Sequence, residues 1–140
     1  MTGELKGVYF SPWWKNRRLI FRFREHGRWE RFEAFRPWEV REALKVALEK
    51  IEESVPGSLS KAAELDDQEF QSNARRKRRY IAENKDLLYL NSPHLTERSS
   101  EPVKDHWVVT NIAWRDVPSI IRLVCEAAGV TYEPLGNIKF

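Results

Sequence analysis

Residues 18–35 read RLIFRFREHGRWERFEAF, and this stretch decides the fold of the first part of the chain. From Arg18 to Glu25, apolar and basic residues alternate in part, which is typical of a half-buried strand. His26-Gly27 fits a two-residue hairpin turn, because glycine tolerates the positive φ that such a turn needs at its second position. The return strand is predicted from Arg28 to Phe35. Together with a short strand from Leu5 to Phe10, the pattern indicates an antiparallel meander.

Aromatic and basic residues are intermixed almost one for one in the first 41 residues, which contain ten of each kind. A hydrophobic core needs aromatic rings but has no use for arginines between them. A surface that stacks unpaired bases and neutralises phosphates needs both. Residues 1–41 carry ten basic and five acidic side chains (+5), and residues 42–70 carry three basic and eight acidic ones (−5). We therefore expect a basic face that suits a polyanion, and an acidic face.

Apolar residues at helical spacing predict a helix after Pro37, which fits the first turn, and Pro56-Gly57 ends it. Its buried stripe consists of Val40, Leu44, Ala47, Leu48, Ile51 and Val55. A second helix is predicted from about Asp66 to Glu83. The strand-like run from His106 to Ala113 precedes a third helix.

The third helix is predicted between a cap at Asp116 and a stop at Gly129. Its apolar stripe is formed by Val117, Ile120, Ile121, Val124, Cys125 and Ala128. The sequence thus predicts an α+β fold: an antiparallel β-sheet, made of the N-terminal meander plus a later strand, packed with three main helices and forming a cleft. One domain is expected over residues 1–140, with the meander in 1–36, a helical middle in 37–90, a strand and helix in 104–129 and a short tail in 130–140.

The candidate nucleic-acid contacts fall into two groups. The first would supply stacking rings and a phosphate track: Trp13, Trp14, Lys15, Arg17, Arg18, Phe21, Arg22, Phe23, Arg24, Arg28, Trp29 and Arg31. The second would form the opposite wall from the second helix: Arg75, Arg76, Lys77, Arg78, Arg79 and Tyr80. Like charges at helical spacing repel by about 0.2–0.5 kcal/mol per pair, and bound phosphates would turn this repulsion into attraction. Core packing is the alternative for Tyr9, Phe21 and Phe23, and a solvated face is the alternative for the basic run.

Catalytic and metal-binding patterns are not found in the sequence. The three histidines share no spacing, and a single cysteine, Cys125, excludes the common structural zinc sites. A carboxylate cluster formed by Asp66, Asp67 and Glu69 could hold magnesium in a small nuclease, but negative charge at a helix N-terminus is its commoner role. We therefore expect a protein that is not an enzyme, has no metal or cofactor and no membrane span, and is located in the cytoplasm.

Three segments resemble the ThermoDBP group of single-stranded DNA-binding proteins from thermophilic archaea. They are ARRKRRYI at 74–81, WVVTNIAWRDVP at 107–118 and IIRLVCEAAGV at 120–130. The resemblance covers nearly the whole chain and implies an α+β domain instead of an OB-fold, in which a sheet and helices shape a cleft with an apolar floor and basic flanks. The best-known form of the family dimerises through a C-terminal leucine zipper. Residues 131–140 contain Pro134 and Gly136 and cannot form one, so self-association would use another surface.

Sequence-tolerant binding and protection of single-stranded DNA is the function that these features favour. About five phosphate contacts would give a slope of log K against log salt near −3.5, at roughly −0.7 per contact. Two alternatives stay open. The ligand could be RNA, because the features that read the 2′-hydroxyl are not visible in a sequence. The exposed Trp and Arg residues could instead anchor a protein partner.

Overall fold

The computed structural model describes residues 5–11, 18–23, 29–33, 40–73, 75–76, 78–88, 100–109 and 116–134. Within these ranges the strands are β1 (Leu5–Ser11), β2 (Arg18–Phe23), β3 (Trp29–Glu33), β4 (Ile81–Ala82), β5 (Ser100–Val103), β6 (His106–Val109) and β7 (Thr131–Pro134). The helices are α1 (Val40–Ser54), α2 (Ser58–Ser72) and α3 (Val117–Ala128), with a short 3-10 turn at Lys85–Leu87. The predicted α+β class is confirmed. In the part of the chain described, no helix has the length and apolar character needed to cross a membrane.

The first sheet contains the predicted meander and has the strand order β3-β2-β1-β7. The β1–β2 and β2–β3 pairs are antiparallel, as expected, whereas β7 pairs with β1 in parallel, so the sheet is mixed. The residues that were expected to form only a tail therefore begin with a strand. That strand follows α3 directly, and Tyr132 packs against the hydrophobic core.

The predicted later strand does not join the meander, and this part of the fold prediction was wrong. Strand β6 lies in a second sheet of order β4-β6-β5, with antiparallel pairing on both sides. The position beside β1 is taken by β7, and β6 forms a hairpin with β5 through Lys104, which has a φ of 54°. Hairpin pairing between neighbouring segments closes a short loop, which costs less entropy than pairing with a distant strand.

Helices α1 and α3 carry the apolar stripes that the sequence predicts. On α1, Leu44, Ala47, Leu48 and Ile51 are buried, and they share one core cluster with the buried residues of α3. Gly129 ends α3 with a φ of 72°. The Val130 N–H donates to the Cys125 carbonyl at 2.9 Å, as in a Schellman motif. Asp116 occupies the N-cap position, but its side chain makes no capping hydrogen bond.

The predicted second helix is present as α2, but its predicted bounds, from about Asp66 to Glu83, were wrong, because the helix begins at Ser58 and ends at Ser72. Pro56-Gly57 breaks the chain only briefly, because the Glu52 carboxylate accepts hydrogen bonds from the Gly57 and Leu59 N–H groups at the start of the new helix. The helix then ends at Ser72, and the Asn73 side chain accepts from the Arg75 N–H at 3.0 Å. Such an asparagine turn competes with continued helix.

Candidate nucleic-acid interface

The register of the first sheet brings basic and aromatic positions of the meander together. Arg22 on β2 is paired with Trp29 on β3. Two residues earlier on the same strand, Ile20 is paired with Arg31. Paired residues share one face of an antiparallel sheet, and every second residue along a strand returns to that face. Positions 18, 20, 22, 29, 31 and 33 therefore belong to one face, which we call the outer face, and Glu33 is its acidic position, paired with Arg18.

The opposite face of this sheet packs on the helices. Leu19 and Phe21 belong to the core cluster with α1 and α3, and Phe21 is only 3% exposed. The Lys50 ammonium group on α1 lies 6.0 Å from the centre of the Phe21 ring. Phe21 was among the predicted stacking residues, but its ring is part of the core. Of the two alternatives considered for it, core packing is the one observed.

The centre of the outer face is also covered. Tyr9 and Ile20 are paired across β1 and β2 on this face, and both are buried. The Tyr9 ring lies over Gly7, where an added Cβ would be 3.3 Å from the tyrosine hydroxyl oxygen. A side chain at position 7 would therefore crowd the Tyr9 ring. The exposed Arg18 lies at one end of this face. Because Tyr9 and Ile20 close the centre, the accessible part of the outer face lies toward its ends.

The basic run at 75–79 was predicted on a helix, but its described residues, Arg75, Arg76, Arg78 and Arg79, follow the end of α2 in an irregular conformation. Arg76 turns inward, and its Nη2 atom donates to Asp66 Oδ1 at 2.7 Å. Its guanidinium group lies 4.0 Å from the centre of the Tyr80 ring. Asp66 is fully buried, and its other carboxylate oxygen accepts from the Tyr80 and Ile81 N–H groups. This carboxylate therefore ties the basic run to the core.

Arg79 is held in the same way by the next residue of α2. Its Nε atom donates to Asp67 Oδ1 at 2.7 Å, and its Nη1 atom donates to the Leu87 carbonyl at 3.0 Å. The guanidinium group also lies 4.5 Å from the centre of the Phe70 ring. The hydrogen bond from Arg79, assisted by one from Gln71, lowers the pKa of Asp67 below its ordinary value of 3.8.

Because of these contacts, half of the residues predicted for the opposite wall are not free to bind phosphate. Arg76, Arg79 and the Tyr80 ring are engaged in internal contacts and do not form an open phosphate-binding surface. Arg75 is exposed, and Arg78 is half-buried. The expectation that Asp66 and Asp67 supply charge at a helix N-terminus was wrong, because they lie in the second half of α2. The signal that could have found their role is an acidic pair followed ten to twelve residues later by arginines.

Several predicted contact residues lie outside the described residues: Trp13, Trp14, Lys15, Arg17, Arg24, Arg28 and Lys77. For four more, only the backbone in β2 and β3 is described: Arg22, Phe23, Trp29 and Arg31. Their roles stay predictions, as does the cleft.

One titratable group of the described core is the buried thiol of Cys125. Burial raises the pKa of the Cys125 thiol to about 12, so it is a packed thiol and a poor nucleophile. Across the described ranges, no group of three or more His, Cys, Asp or Glu residues could hold a metal ion. The predicted magnesium alternative meets a further obstacle, because Asp66 and Asp67 are both paired with arginines.

Comparison of the chain with models of known protein families, with curated proteins and with solved structures gives no match.

Proposed function

We propose that this chain binds single-stranded DNA without sequence preference and without catalysis, using the outer face of the first sheet. The observation that carries the proposal is the cross-strand register, which pairs Arg22 with Trp29 and Ile20 with Arg31. Stacking rings and cationic groups must lie within one nucleotide of each other to hold a single strand, and this register brings their positions to adjacent strands about 5 Å apart.

The phosphate track of the proposal runs along β2 and β3. Arg18 and Arg22 are four residues apart on β2, or about 13 Å along the strand, and Arg31 lies beside the midpoint between them. Because Tyr9 and Ile20 are buried, the bases would stack toward the β3 edge and not over the centre of the sheet. Arg75, exposed beyond the end of α2, would add a phosphate contact outside the sheet.

The resemblance of three segments to the ThermoDBP group supports the same proposal, because that family binds single-stranded DNA. We place the activity in the cytoplasm, since a chain with one cysteine gives no indication of an oxidising compartment. RNA shares the ligand chemistry of the site, so the test must include it.

The experiment measures binding of labelled oligo(dT), the matching duplex and oligo(rU) by fluorescence anisotropy, with tryptophan emission recorded in parallel. We expect oligo(dT) to bind more tightly than duplex and to quench the emission. Trp29→Ala should weaken binding about 5- to 150-fold, which corresponds to about 1–3 kcal/mol of stacking per base. Tighter binding of oligo(rU) would favour the RNA alternative, and absence of binding to any oligomer would contradict the proposal.

A matched pair of double variants separates local contacts from total charge. Arg22→Ala with Arg31→Ala removes two cationic positions of the outer face. Arg41→Ala with Lys61→Ala removes two exposed charges from α1 and α2. The proposal requires the first variant to lose more affinity than the second. Equal losses would mean that only the net charge of the protein matters.

A further inference from the structure

An open groove of about 420 Å³ lies between α2 and the segment that contains β4 and the 3-10 turn. Its helical side is formed by Ser60, Glu64, Asp67 and Gln71, which recur every three or four residues and so share one face of α2. From Ser60 to Gln71 this face is about 16 Å long, at 1.5 Å per residue. That length matches about five residues of an extended peptide.

The charge of the groove is opposite to that of the protein. The chain as a whole carries +3, but the groove is lined by three carboxylates and one guanidinium group, which gives −2. The guanidinium belongs to Arg79 and is already bonded to Asp67 and to the Leu87 carbonyl. A phosphate would meet repulsion here, so this groove is not a continuation of the proposed DNA site.

Two of the carboxylates are available to a ligand. Glu64 on α2 and Glu83 after β4 are exposed, and neither has a hydrogen-bond or ion-pair partner within the described ranges. They lie on the two opposite sides of the groove, one on the helix and one beyond the strand. An occupant with cationic side chains pointing to both sides would satisfy both.

The groove also offers apolar contact. Ala63, Ile81, Ala82 and Leu87 also line it. Among the described residues, Leu87 is a large hydrophobic side chain that is exposed to solvent, at 42%. A small polyamine would leave this leucine in water, whereas a peptide with an aliphatic side chain would cover it.

We propose that this groove docks an extended basic segment of a partner protein, with Lys or Arg side chains at Glu64 and Glu83 and an aliphatic side chain on Leu87. The proposal is independent of DNA binding, because it uses a different surface of opposite charge. Electrostatic complementarity of this kind gives specificity and fast association, while the apolar contact limits dissociation.

The probes are three short fluorescein-labelled peptides, called Lys–Leu, Glu–Leu and Lys–Ser, which repeat Lys-Lys-Leu, Glu-Glu-Leu and Lys-Lys-Ser so that neighbouring charged residues of the extended peptide point to opposite sides. Anisotropy is measured with the full chain and without DNA, since DNA would bind the basic peptides directly. We expect Lys–Leu to bind, Glu–Leu to show no binding, and Lys–Ser to bind more weakly than Lys–Leu. Glu64→Gln with Glu83→Gln should weaken Lys–Leu binding about 2- to 30-fold, at the usual strength of two surface ion pairs.

The control is Glu42→Gln with Glu126→Gln, which removes two exposed carboxylates elsewhere on α1 and α3. It should bind Lys–Leu as the wild type does, and all variants should keep the wild-type affinity for oligo(dT). Leu87→Ser should reduce Lys–Leu binding to the level of Lys–Ser.

Three results would overturn the proposal: equal binding of Lys–Leu and Glu–Leu, equal losses in the groove and control variants, or equal binding of Lys–Leu and Lys–Ser with full competition by spermine. The last would indicate a small-cation site. Loss of self-association in the groove variant, with no peptide binding in the wild type, would instead assign the groove to a second copy of the chain.

Discussion

Arg76 and Asp66 form a charged pair at 2.7 Å, in which the carboxylate is fully buried and the guanidinium side chain is 11% exposed. The same carboxylate accepts two backbone N–H groups from the start of β4. A single side chain of α2 thus fixes both the path of the basic run and the position of the second sheet.

We expect Asp66→Asn to lower the free energy of unfolding by about 3 kcal/mol, the lower end of the range for breaking a buried ion pair, because Arg76 then keeps, among the described carboxylates, only the more distant, exposed Glu69 at 3.6 Å. Chemical denaturation of wild type and variant measures the difference. Asp67→Asn is the control, since Asp67 is 40% exposed and its pair with Arg79 should contribute less than about 1 kcal/mol. A change below about 0.5 kcal/mol for Asp66→Asn would show that the pair does not anchor the fold.

The ion pair between Asp67 and Arg79 should make the stability of the protein depend on pH in the acid range. The pKa of Asp67 is lowered in the folded state, so its contribution is present above the ordinary value of 3.8 and is lost as pH falls through the folded value. Thermal unfolding of wild type and Asp67→Asn, measured from neutral pH downward, should differ by a constant amount that disappears below pH 3.8. A gap that persists at lower pH would contradict the assignment.

The Cys125 thiol provides a test of core packing. Burial raises its pKa from 9.0 to about 12, so the native protein at pH 9 should react with iodoacetamide far more slowly than the protein in guanidinium chloride. Because the unfolded thiol ionises first, its contribution to stability should be lost as pH rises from 9 toward 12. Comparison with Cys125→Ala measures this effect together with the part of the Tyr132 shift that Cys125 causes: burial raises the pKa of Tyr132 to about 12, and the nearby Cys125 thiolate adds to that rise. Rapid labelling under native conditions would show that α3 is not packed as described.

Local signals in the sequence were sufficient for the elements that depend on them. The stripe and the Gly129 stop predicted α3, and the alternation around Phe21 predicted β2. The start of α2 was missed because its cap, the Glu52 carboxylate, comes from the preceding helix. Strand β7 was missed because four residues of weak pattern acquire their structure from pairing with β1, a contact that spans nearly the whole chain.

The candidate site, too, could be predicted only in the part that depends on composition and local pattern. Composition alone indicated a basic and aromatic surface. The register of β2 and β3 brings four of its positions, 18, 22, 29 and 31, to one face. Composition could not distinguish an arginine that faces solvent from one that pairs with a buried carboxylate. Arg75 and Arg79 belong to the same basic run, yet the first is exposed and the second is bonded to Asp67.

This contrast makes Arg75 and Arg79 the most direct test of the account. Oligo(dT) affinity is measured between about 50 and 200 mM salt, where each phosphate contact to a single strand contributes about −0.7 to the slope of log K against log salt. We predict a wild-type slope near −3.5, a reduction in magnitude of about 0.7 for Arg75→Ala, and no change for Arg79→Gln. A salt-independent affinity, or a slope that responds to Arg79 and not to Arg75, would contradict the account.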